Sequence, residues 1–274
     1  MDFDRLNFIT AGMPLATKSG GYKKALQILN DLGLDGLELE FVHGVRISDE
    51  SKEILKQSNL VKTIHAPFYI NLNSKEEEKV DASVKRIIET AQVAQEIGAF
   101  SITYHAGFYL GEEKELVYNK ISKQIGIISE YLNDKGIRVW IRPETTGKET
   151  QWGDIDEIIN MSLEHELVLP CVDFSHLYAR TVGQYNTYDE FCSVFEKIRN
   201  KLGDQPLKCF HAHIAGIEYT SKGEKRHLNL AESLFNYKDL LKAFKTFDVK
   251  GAIVCESPNI ETDCKILKDF YYSL

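Results

Sequence analysis

Short runs of strand-forming apolar residues alternate with longer amphipathic segments eight times along this chain of 274 residues. This pattern predicts repeated βαβ units around a parallel sheet. The predicted strands span residues 6–11, 36–42, 61–66, 100–106, 137–141, 167–172, 207–214 and 252–256. The predicted helices, in which apolar residues recur at intervals of three and four, span residues 22–32, 47–56, 76–97, 114–133, 155–163, 188–202, 237–247 and 260–271.

Eight consecutive βα units in a chain of this length favour a closed (β/α)8 barrel over an open doubly wound sheet. Gly33, Gly98 and Gly136 each follow a predicted helix and precede a strand, where a left-handed residue commonly ends a helix. No linker-like segment divides the chain, and no GxGxxG or GxxxxGK[ST] motif follows a strand. We therefore predict a single barrel domain over residues 1–274, without a dinucleotide or P-loop site.

Composition limits the class of protein further. The 33 Lys and Arg against 41 Asp and Glu give a formal net charge of -8, which argues against nonspecific coating of nucleic acid. The five cysteines form no CxxC pair, so neither a disulfide framework nor a zinc finger is expected. The sequence has no apolar run of the ~18 residues that a membrane span needs, and its first residues do not resemble a secretory signal. We expect a cytoplasmic, monomeric protein that does not associate with membranes.

Histidine and carboxylate side chains follow the predicted strands at the points where these end. In a (β/α)8 barrel those positions converge on the C-terminal face, which carries the active site. This group comprises His65, His105, Glu144, Asp173, His176, His211, His213 and Glu256, together with His227 in the loop expected after the seventh strand. Together they would be unpaired buried polar groups unless something bound them, and a metal cluster accounts for them economically.

The donor types indicate which metals and which chemistry to expect. Nitrogen and oxygen ligands without a cysteine suit Zn²⁺, Mn²⁺ or Fe²⁺. Nine ligands are too many for one ion, because a tetrahedral zinc takes four and a catalytic zinc keeps one position open. Clustered ions hydrolyse phosphodiesters well, since one generates a nucleophile from water while its neighbours neutralise phosphate oxygens. The residues therefore indicate metal-assisted hydrolysis by two or three ions.

An ordered series of motifs around these residues resembles a known family, the endonuclease IV group of apurinic/apyrimidinic (AP) endonucleases within the xylose-isomerase-like barrel superfamily. The motifs are IHAPFYINL (64–72), YHAGFYLG (104–111), RPETTGKETQWGDIDEI (142–158), VDFSHLYA (172–179), AHIAG (212–216), KRHLNL (225–230) and CESP (255–258). The resemblance runs along nearly the whole chain. It implies a zinc-dependent enzyme that cleaves the DNA backbone on the 5′ side of an abasic site and leaves a 3′-hydroxyl.

The resemblance also implies roles for individual residues. One zinc would be held by His65, His105 and Glu144. A second would be held by Glu144, Asp173, His213 and Glu256. The catalytic carboxylates would be Glu144, which bridges the two ions, and Glu256, which positions the attacking hydroxide. His176 and His227 would hold a third zinc.

The third site departs from the family pattern. The family uses an Asp two residues before the last histidine, whereas this chain has Lys225 there. A protonated ammonium offers no lone pair to a cation, so the third site is weakened, emptied or rebuilt by Glu224 or His211. The Asn-Asp that follows the seventh-strand histidine in the family is replaced by Ala215 and Gly216.

Two other functions remain open at this point. A sugar isomerase or epimerase of the same superfamily would use one metal on Glu144, Asp173, His213 and Glu256, with the two glutamates transferring protons. The other possible function is noncatalytic: the barrel would bind DNA or a sugar phosphate without turnover. We favour the hydrolase, because a one-metal isomerase has no use for His65 and His105. Cations that could meet phosphates at the barrel mouth are Lys148, Arg180, Lys222, Lys225 and Arg226.

Overall fold

The computed structural model describes residues 2–274 as an α/β barrel. Its strands are β1 (Leu6–Ala11), β2 (Gly36–Glu40), β3 (Val61–His65), β4 (Ser101–Tyr104), β5 (Trp140–Pro143), β6 (Val172–Asp173), β7 (Phe210–Ile214), β8 (Gly216–Thr220), β9 (Gly223–Leu228) and β10 (Gly251–Cys255). Eight of them form one sheet in the order β5-β4-β3-β2-β1-β10-β7-β6, in which all neighbours pair in parallel. The remaining two, β8 and β9, form an antiparallel hairpin.

Helices follow the strands around the outside of the barrel. They are α1 (Gly21–Asp31), α2 (Asp49–Gln57), α3 (Glu77–Ile97), α4 (Lys114–Asp134), α5 (Ile155–Glu164), α6 (Phe174–Arg180), α7 (Tyr188–Leu202), α8 (Gln205–Lys208), α9 (Tyr237–Thr246) and α10 (Glu261–Ser273). Among residues 2–274, no helix is long and apolar enough to cross a membrane. The three glycines expected to end helices adopt left-handed φ values of 65°, 71° and 67°.

Backbone hydrogen bonds join the two end strands of the sheet and close the barrel. The amide of Ile141 in β5 donates to the carbonyl of Leu167 over 2.8 Å, and the amide of Cys171 donates to Pro143 over 3.1 Å. Parallel bridges pair Ile141 with Val168 and Glu144 with Cys171. The predicted (β/α)8 fold is therefore confirmed.

Two prolines account for differences between the predicted and observed strands. Pro170 lies in the predicted sixth strand and has no N–H to donate, so the regular strand β6 is confined to Val172–Asp173. Pro206 lies in the short helix α8, which occupies the beginning of the predicted seventh strand. The strand that carries His211 and His213 accordingly starts at Phe210.

A helix and a β-hairpin at the mouth of the barrel were also not predicted. Helix α6 begins directly after β6, where the Asp173 side chain accepts a hydrogen bond from the His176 amide at 2.7 Å. The β8–β9 hairpin occupies a segment that was expected to be a loop. His227 therefore lies on strand β9, and the prediction of a loop position for it was wrong.

A cluster of buried phenylalanines packs strand β7 against the outer helices. Phe174 of α6, Phe195 of α7, Phe210 of β7 and Phe244 of α9 are fully buried. Their ring centroids lie 4.9 Å apart for Phe195 and Phe244 and 5.8 Å apart for Phe210 and Phe244. Such contacts are worth more than their buried area alone. They hold α6 and β7, which both carry polar residues of the mouth, in a fixed relation.

Gly251 begins β10 at a point where the backbone of β7 approaches closely. Its φ is +127°, and an added Cβ would lie 2.1 Å from the carbonyl oxygen of Phe210. We expect Gly251→Ala to lower the free energy of unfolding by at least about 3 kcal/mol, because strain and a backbone clash add together. Gly33→Ala, with φ +65° and no atom within 4 Å, should cost only about 1–2 kcal/mol. Urea denaturation measures both, and equal losses would contradict the proposed clash.

Candidate metal centre

The strand ends bring the predicted ligands together at the C-terminal mouth of the barrel. His65 is the last residue of β3, Asp173 the last of β6, and His213 lies in β7. Glu144 and Glu256 follow β5 and β10 directly. Three groups of these side chains have their ligand atoms within 4.8 Å of one another: His65, His105 and Glu144; Glu144, Asp173 and His213; and Asp173, His176 and His227. Two more groups each include a residue that was not predicted as a ligand: Glu38, His213 and Glu256, and Cys171, His211 and His213.

The first group is built around the carboxylate of Glu144, which is 1% exposed. His65 Nε2 lies 3.2 Å from Glu144 Oε2, and His105 Nε2 lies 3.2 Å from Glu144 Oε1. The Nδ1 of His65 faces the Ala66 carbonyl at 2.8 Å, so its Nε2 can direct a lone pair at a cation bound beside Glu144. Two ligands of a tetrahedral zinc lie roughly 3.3 Å apart, since each bond is about 2.0–2.2 Å long. These spacings fit one ion.

The second group shares Glu144 with the first. His213 Nδ1 lies 3.4 Å from Glu144 Oε1 and 3.3 Å from Glu256 Oε1. Within residues 2–274, several buried ligand atoms have no hydrogen-bond partner: Glu144 Oε1, Asp173 Oδ2, His213 Nδ1 and Glu256 Oε2. Buried acceptors that face one another without a donor are costly. A divalent cation supplies what they lack, so the residues fit the metal that the donor types predict.

The pKa shifts of the carboxyl groups also indicate a cation at this position. Burial raises the pKa of Asp173 well above its ordinary value, and the nearby carboxylates Glu256 and Glu144 add to the rise while His176 opposes it. At Glu144 burial acts in the same direction, but His105 and His213 outweigh it and hold the pKa well below normal. The negative charge of Glu144 and Glu256 therefore opposes the ionisation of Asp173 beside them. Cations at this position would let all of them ionise together.

A third group lies beside the second. His176 Nδ1 faces the Thr145 carbonyl at 3.0 Å, which leaves its Nε2 directed at the hairpin. That Nε2 lies 3.5 Å from Glu224 Oε2 and 3.5 Å from His227 Nε2. Glu224 Oε1 and His227 Nε2 are 4.0 Å apart. Two imidazoles and one carboxylate thus lie close together, and catalytic zinc sites use three protein ligands of these types.

A β-bulge explains how Glu224 reaches this point. Tyr219 pairs with Glu224 and Glu218 pairs with Arg226, so Lys225 is an extra residue on β9. In a regular strand, residues three apart face opposite sides, and a bulge reverses that relation. Glu224 and His227 consequently both face His176. The ammonium of Lys225 turns away and forms a salt bridge with Glu218 at 2.6 Å.

Gly147 permits the close approach of these side chains. An added Cβ at this position would lie 2.6 Å from Glu224 Cβ and 3.1 Å from His176 Cδ2. The amide of Glu224 also donates to the Gly147 carbonyl over 2.9 Å. The loop after β5 therefore fixes the hairpin against α6.

His211 does not take part in the third group, and the suggestion that it rebuilds the third site was wrong. Its Nε2 lies 2.9 Å from Glu38 Oε2, and its Nδ1 lies 3.0 Å from Ser101 Oγ. Burial lowers its pKa to about 4, so the ring is neutral at pH 7. Both ring nitrogens face partners inside the barrel, which leaves neither for a metal at the mouth.

Glu38 is a buried residue that the sequence analysis did not select. It lies in β2, within GLELE, where its alternation with leucines could have placed it on the inner side of the barrel. Its side chain is fully buried and contacts both His211 and His213. Burial opposes its ionisation, but His213 and His211 hold the pKa of Glu38 well below the ordinary value.

A cavity of about 700 Å³ adjoins the third group, between the loop after β5 and the hairpin. Its cations are Lys148, Arg180, Lys222 and Lys225, and its acids are Glu149 and Glu224. Arg180 is 6% exposed and donates to Thr146 Oγ1 at 2.9 Å and to the Gln151 carbonyl at 3.0 Å. Unlike Lys225, the other three cations form no salt bridge within residues 2–274. The cavity therefore contains three cations that form no ion pair with a carboxylate of the described residues.

Two relatives in sequence are similar to most of this chain. An uncharacterized protein of Methanocaldococcus jannaschii is 45% identical over 271 residues, which cover 98% of both chains. The "Probable endonuclease 4" of Mycoplasma pneumoniae is 25% identical over 219 residues, which cover 77% of this chain and 74% of that protein.

Solved structures share the fold at low sequence identity. Endonuclease IV from Thermus thermophilus superposes with a TM-score of 0.74 at 16% identity, and the match covers 98% of this chain and 100% of that chain. A D-tagatose 3-epimerase-like protein superposes with a TM-score of 0.75 at 17% identity, covering 97% of this chain and 96% of its own. The family model described as "Xylose isomerase-like TIM barrel" matches residues 26–271. The chain therefore belongs to the xylose isomerase-like TIM barrel family.

Proposed function

We propose that this protein is a metal-dependent phosphodiesterase that hydrolyses the DNA backbone on the 5′ side of an abasic site. The observation that carries the proposal is the position of His65 and His105. Both imidazoles contact Glu144, and the same carboxylate also contacts His213 of the second ligand group. One carboxylate between two ligand groups suits a pair of ions rather than one.

The bound ions, zinc or else Mn²⁺ or Fe²⁺, would act as Lewis acids on the phosphate and generate the nucleophile from water. The protein's own side chains fix where this happens. Glu144 joins the two ligand groups and so sets the distance between them. Glu256 contacts His213 through Oε1 and keeps Oε2 without a hydrogen-bond partner among residues 2–274. We assign to that free oxygen the orientation of the attacking water and the acceptance of its proton.

The cationic cavity supports a phosphate-bearing substrate. Lys148, Arg180 and Lys222 lie beside the third ligand group, and none of them pairs with a carboxylate of residues 2–274. Lysine and arginine contacts to the phosphates of a strand position the nucleic acid without reading its sequence. A chain with net charge -8 would then concentrate its attraction for DNA at the mouth, where bound cations add to these side chains.

A one-metal sugar epimerase is the second candidate. It is favoured by the similarity in fold to a D-tagatose 3-epimerase-like protein and by the set Glu144, Asp173, His213 and Glu256, which can hold one ion and provide two carboxylates for proton transfer. His65 and His105 have no part in that chemistry. Their contacts with Glu144 are the reason we prefer hydrolysis.

The direct test is incubation with a labelled DNA duplex that carries one abasic site, in the presence of Zn²⁺, Mn²⁺ or Fe²⁺. We expect a nick on the 5′ side that leaves a 3′-hydroxyl which a polymerase can extend. His65→Ala and His105→Ala should lower kcat/KM by at least about 100-fold, because losing a ligand costs more than the 10–100-fold typical of outer-shell partners. His165→Ala serves as the matched control, since His165 lies after α5 and contacts Ser122.

The hydrolase would be contradicted if two results were both observed. The first is intact duplex with all three metals. The second is interconversion of a ketose and its epimer by the wild-type protein, with the same rate in the His65→Ala and His105→Ala variants. That combination favours the epimerase.

We also propose that Glu224 completes a third metal site with His176 and His227. Glu224→Gln should lower the zinc content by about one ion per chain, because an amide is a weaker ligand than a carboxylate. Lys225→Ala should leave the content unchanged, since the Lys225 ammonium faces Glu218. Metal analysis of the dialysed proteins measures both. A higher zinc content in Lys225→Ala than in wild type would contradict this proposal, because it would mean that the Lys225 ammonium keeps zinc out of the third site.

A further inference from the structure

Glu38 lies below the metal centre and has no role in the proposed reaction. Its two oxygens contact three side chains inside the barrel: Oε1 lies 3.0 Å from His213 Nε2, and Oε2 lies 2.9 Å from His211 Nε2 and 2.7 Å from Thr63 Oγ1. Glu38, His211 and His213 are all 0% exposed. A carboxylate so deeply buried is rarely a gain for stability over an apolar side chain. Its position therefore calls for another explanation.

The contact with His213 determines which ring nitrogen can bind a metal. An ionised carboxylate only accepts hydrogens, so Glu38 favours the His213 tautomer that carries its proton on Nε2 and presents a lone pair on Nδ1. That Nδ1 faces Glu144 and Glu256. His65 and His176 are oriented differently, because their Nδ1 atoms face backbone carbonyls and their Nε2 atoms face the ligand groups. His213 thus binds through the opposite nitrogen and is held by a charged partner.

His211 keeps the Glu38 carboxylate in place. Its Nε2 contacts the second oxygen of Glu38, while its Nδ1 contacts Ser101 Oγ at 3.0 Å. Thr63 Oγ1 donates a hydrogen bond to Oε2, and the His211 ring lies against the same oxygen, so Oε1 faces His213 alone. These three contacts limit the rotation of the carboxylate.

We propose that Glu38, held by His211, is a positioning residue that fixes the orientation and protonation of His213 so that Nδ1 faces the metal centre. The inference rests on the metal centre of the proposed function. Carboxylate partners of ligand histidines make the imidazole a stronger ligand, and their loss typically costs 10–100-fold in metal affinity.

Glu38→Gln tests the proposal, because glutamine offers one acceptor and one donor where two imidazoles each need an acceptor. We expect the zinc Kd of the second ligand group, measured by competition with a chelator, to rise by about 10–100-fold. The Co²⁺-substituted protein should show a changed absorption spectrum. Asp35→Asn is the control: Asp35 is a buried carboxylate that holds Arg5, Lys268 and the Phe8 amide. This variant should unfold at a lower temperature with the same zinc Kd.

A second pair of variants keeps the proposal testable if Glu38→Gln does not fold. His211→Leu removes the donor to Glu38 and should weaken zinc binding. His211→Gln retains an amide donor and should restore most of the affinity. Equal zinc Kd values for His211→Leu, His211→Gln and wild type would overturn the proposal.

Nitrogen-15 NMR of the wild-type, zinc-loaded protein provides a readout without DNA. We expect the His213 proton on Nε2, because the metal would occupy Nδ1. A proton on Nδ1 would overturn the proposal. Because zinc affinity and the tautomer are measured without substrate, a wild-type protein that binds zinc but nicks no DNA would contradict the proposed reaction and leave this inference intact.

Discussion

The arrangement of the mouth depends on one buried carboxylate. Glu144 follows strand β5 and receives imidazoles from β3, from the segment after β4, from α6 and from β7. Its Oε1 has no hydrogen-bond partner within residues 2–274. A buried anion with an oxygen that accepts no hydrogen bond is stable only with positive charge nearby. The barrel thus supplies the geometry, and bound divalent ions would supply the charge that makes the geometry favourable. This requirement is the basis of the proposed hydrolysis.

The surroundings of Glu144 are organised on two levels. At the mouth, the bulge at Lys225 turns Glu224 and His227 towards His176. Inside the barrel, Glu38 and His211 lie on the far side of His213, where Glu38 contacts its Nε2. In our proposal, Glu224 and His227 at the mouth add metal ligands, and Glu38 and His211 inside the barrel orient the ligand His213. A change at either level should therefore alter metal binding without altering the barrel.

Much of this was predictable from the sequence, for physical reasons. Strand-end positions follow from the alternation of apolar runs and helical segments, and parallel strand ends must meet at one face. Hence His65, His105, Glu144, Asp173, His213 and Glu256 could be grouped in advance. The bulge could not be predicted, because it depends on a pairing irregularity between β8 and β9 that no local pattern signals. The place of His211 was missed because its partners, Glu38 and Ser101, are distant in sequence.

We propose that Glu144 joins two metal ions. Anomalous diffraction at the zinc absorption edge, from crystals of the protein loaded with zinc, can locate both. Besides the peak at the proposed third site, we expect two peaks on either side of the Glu144 carboxylate, one contacting His65 and His105 and the other contacting Asp173, His213 and Glu256. A single peak on Glu144, Asp173, His213 and Glu256, with His65 and His105 free of metal, would contradict it.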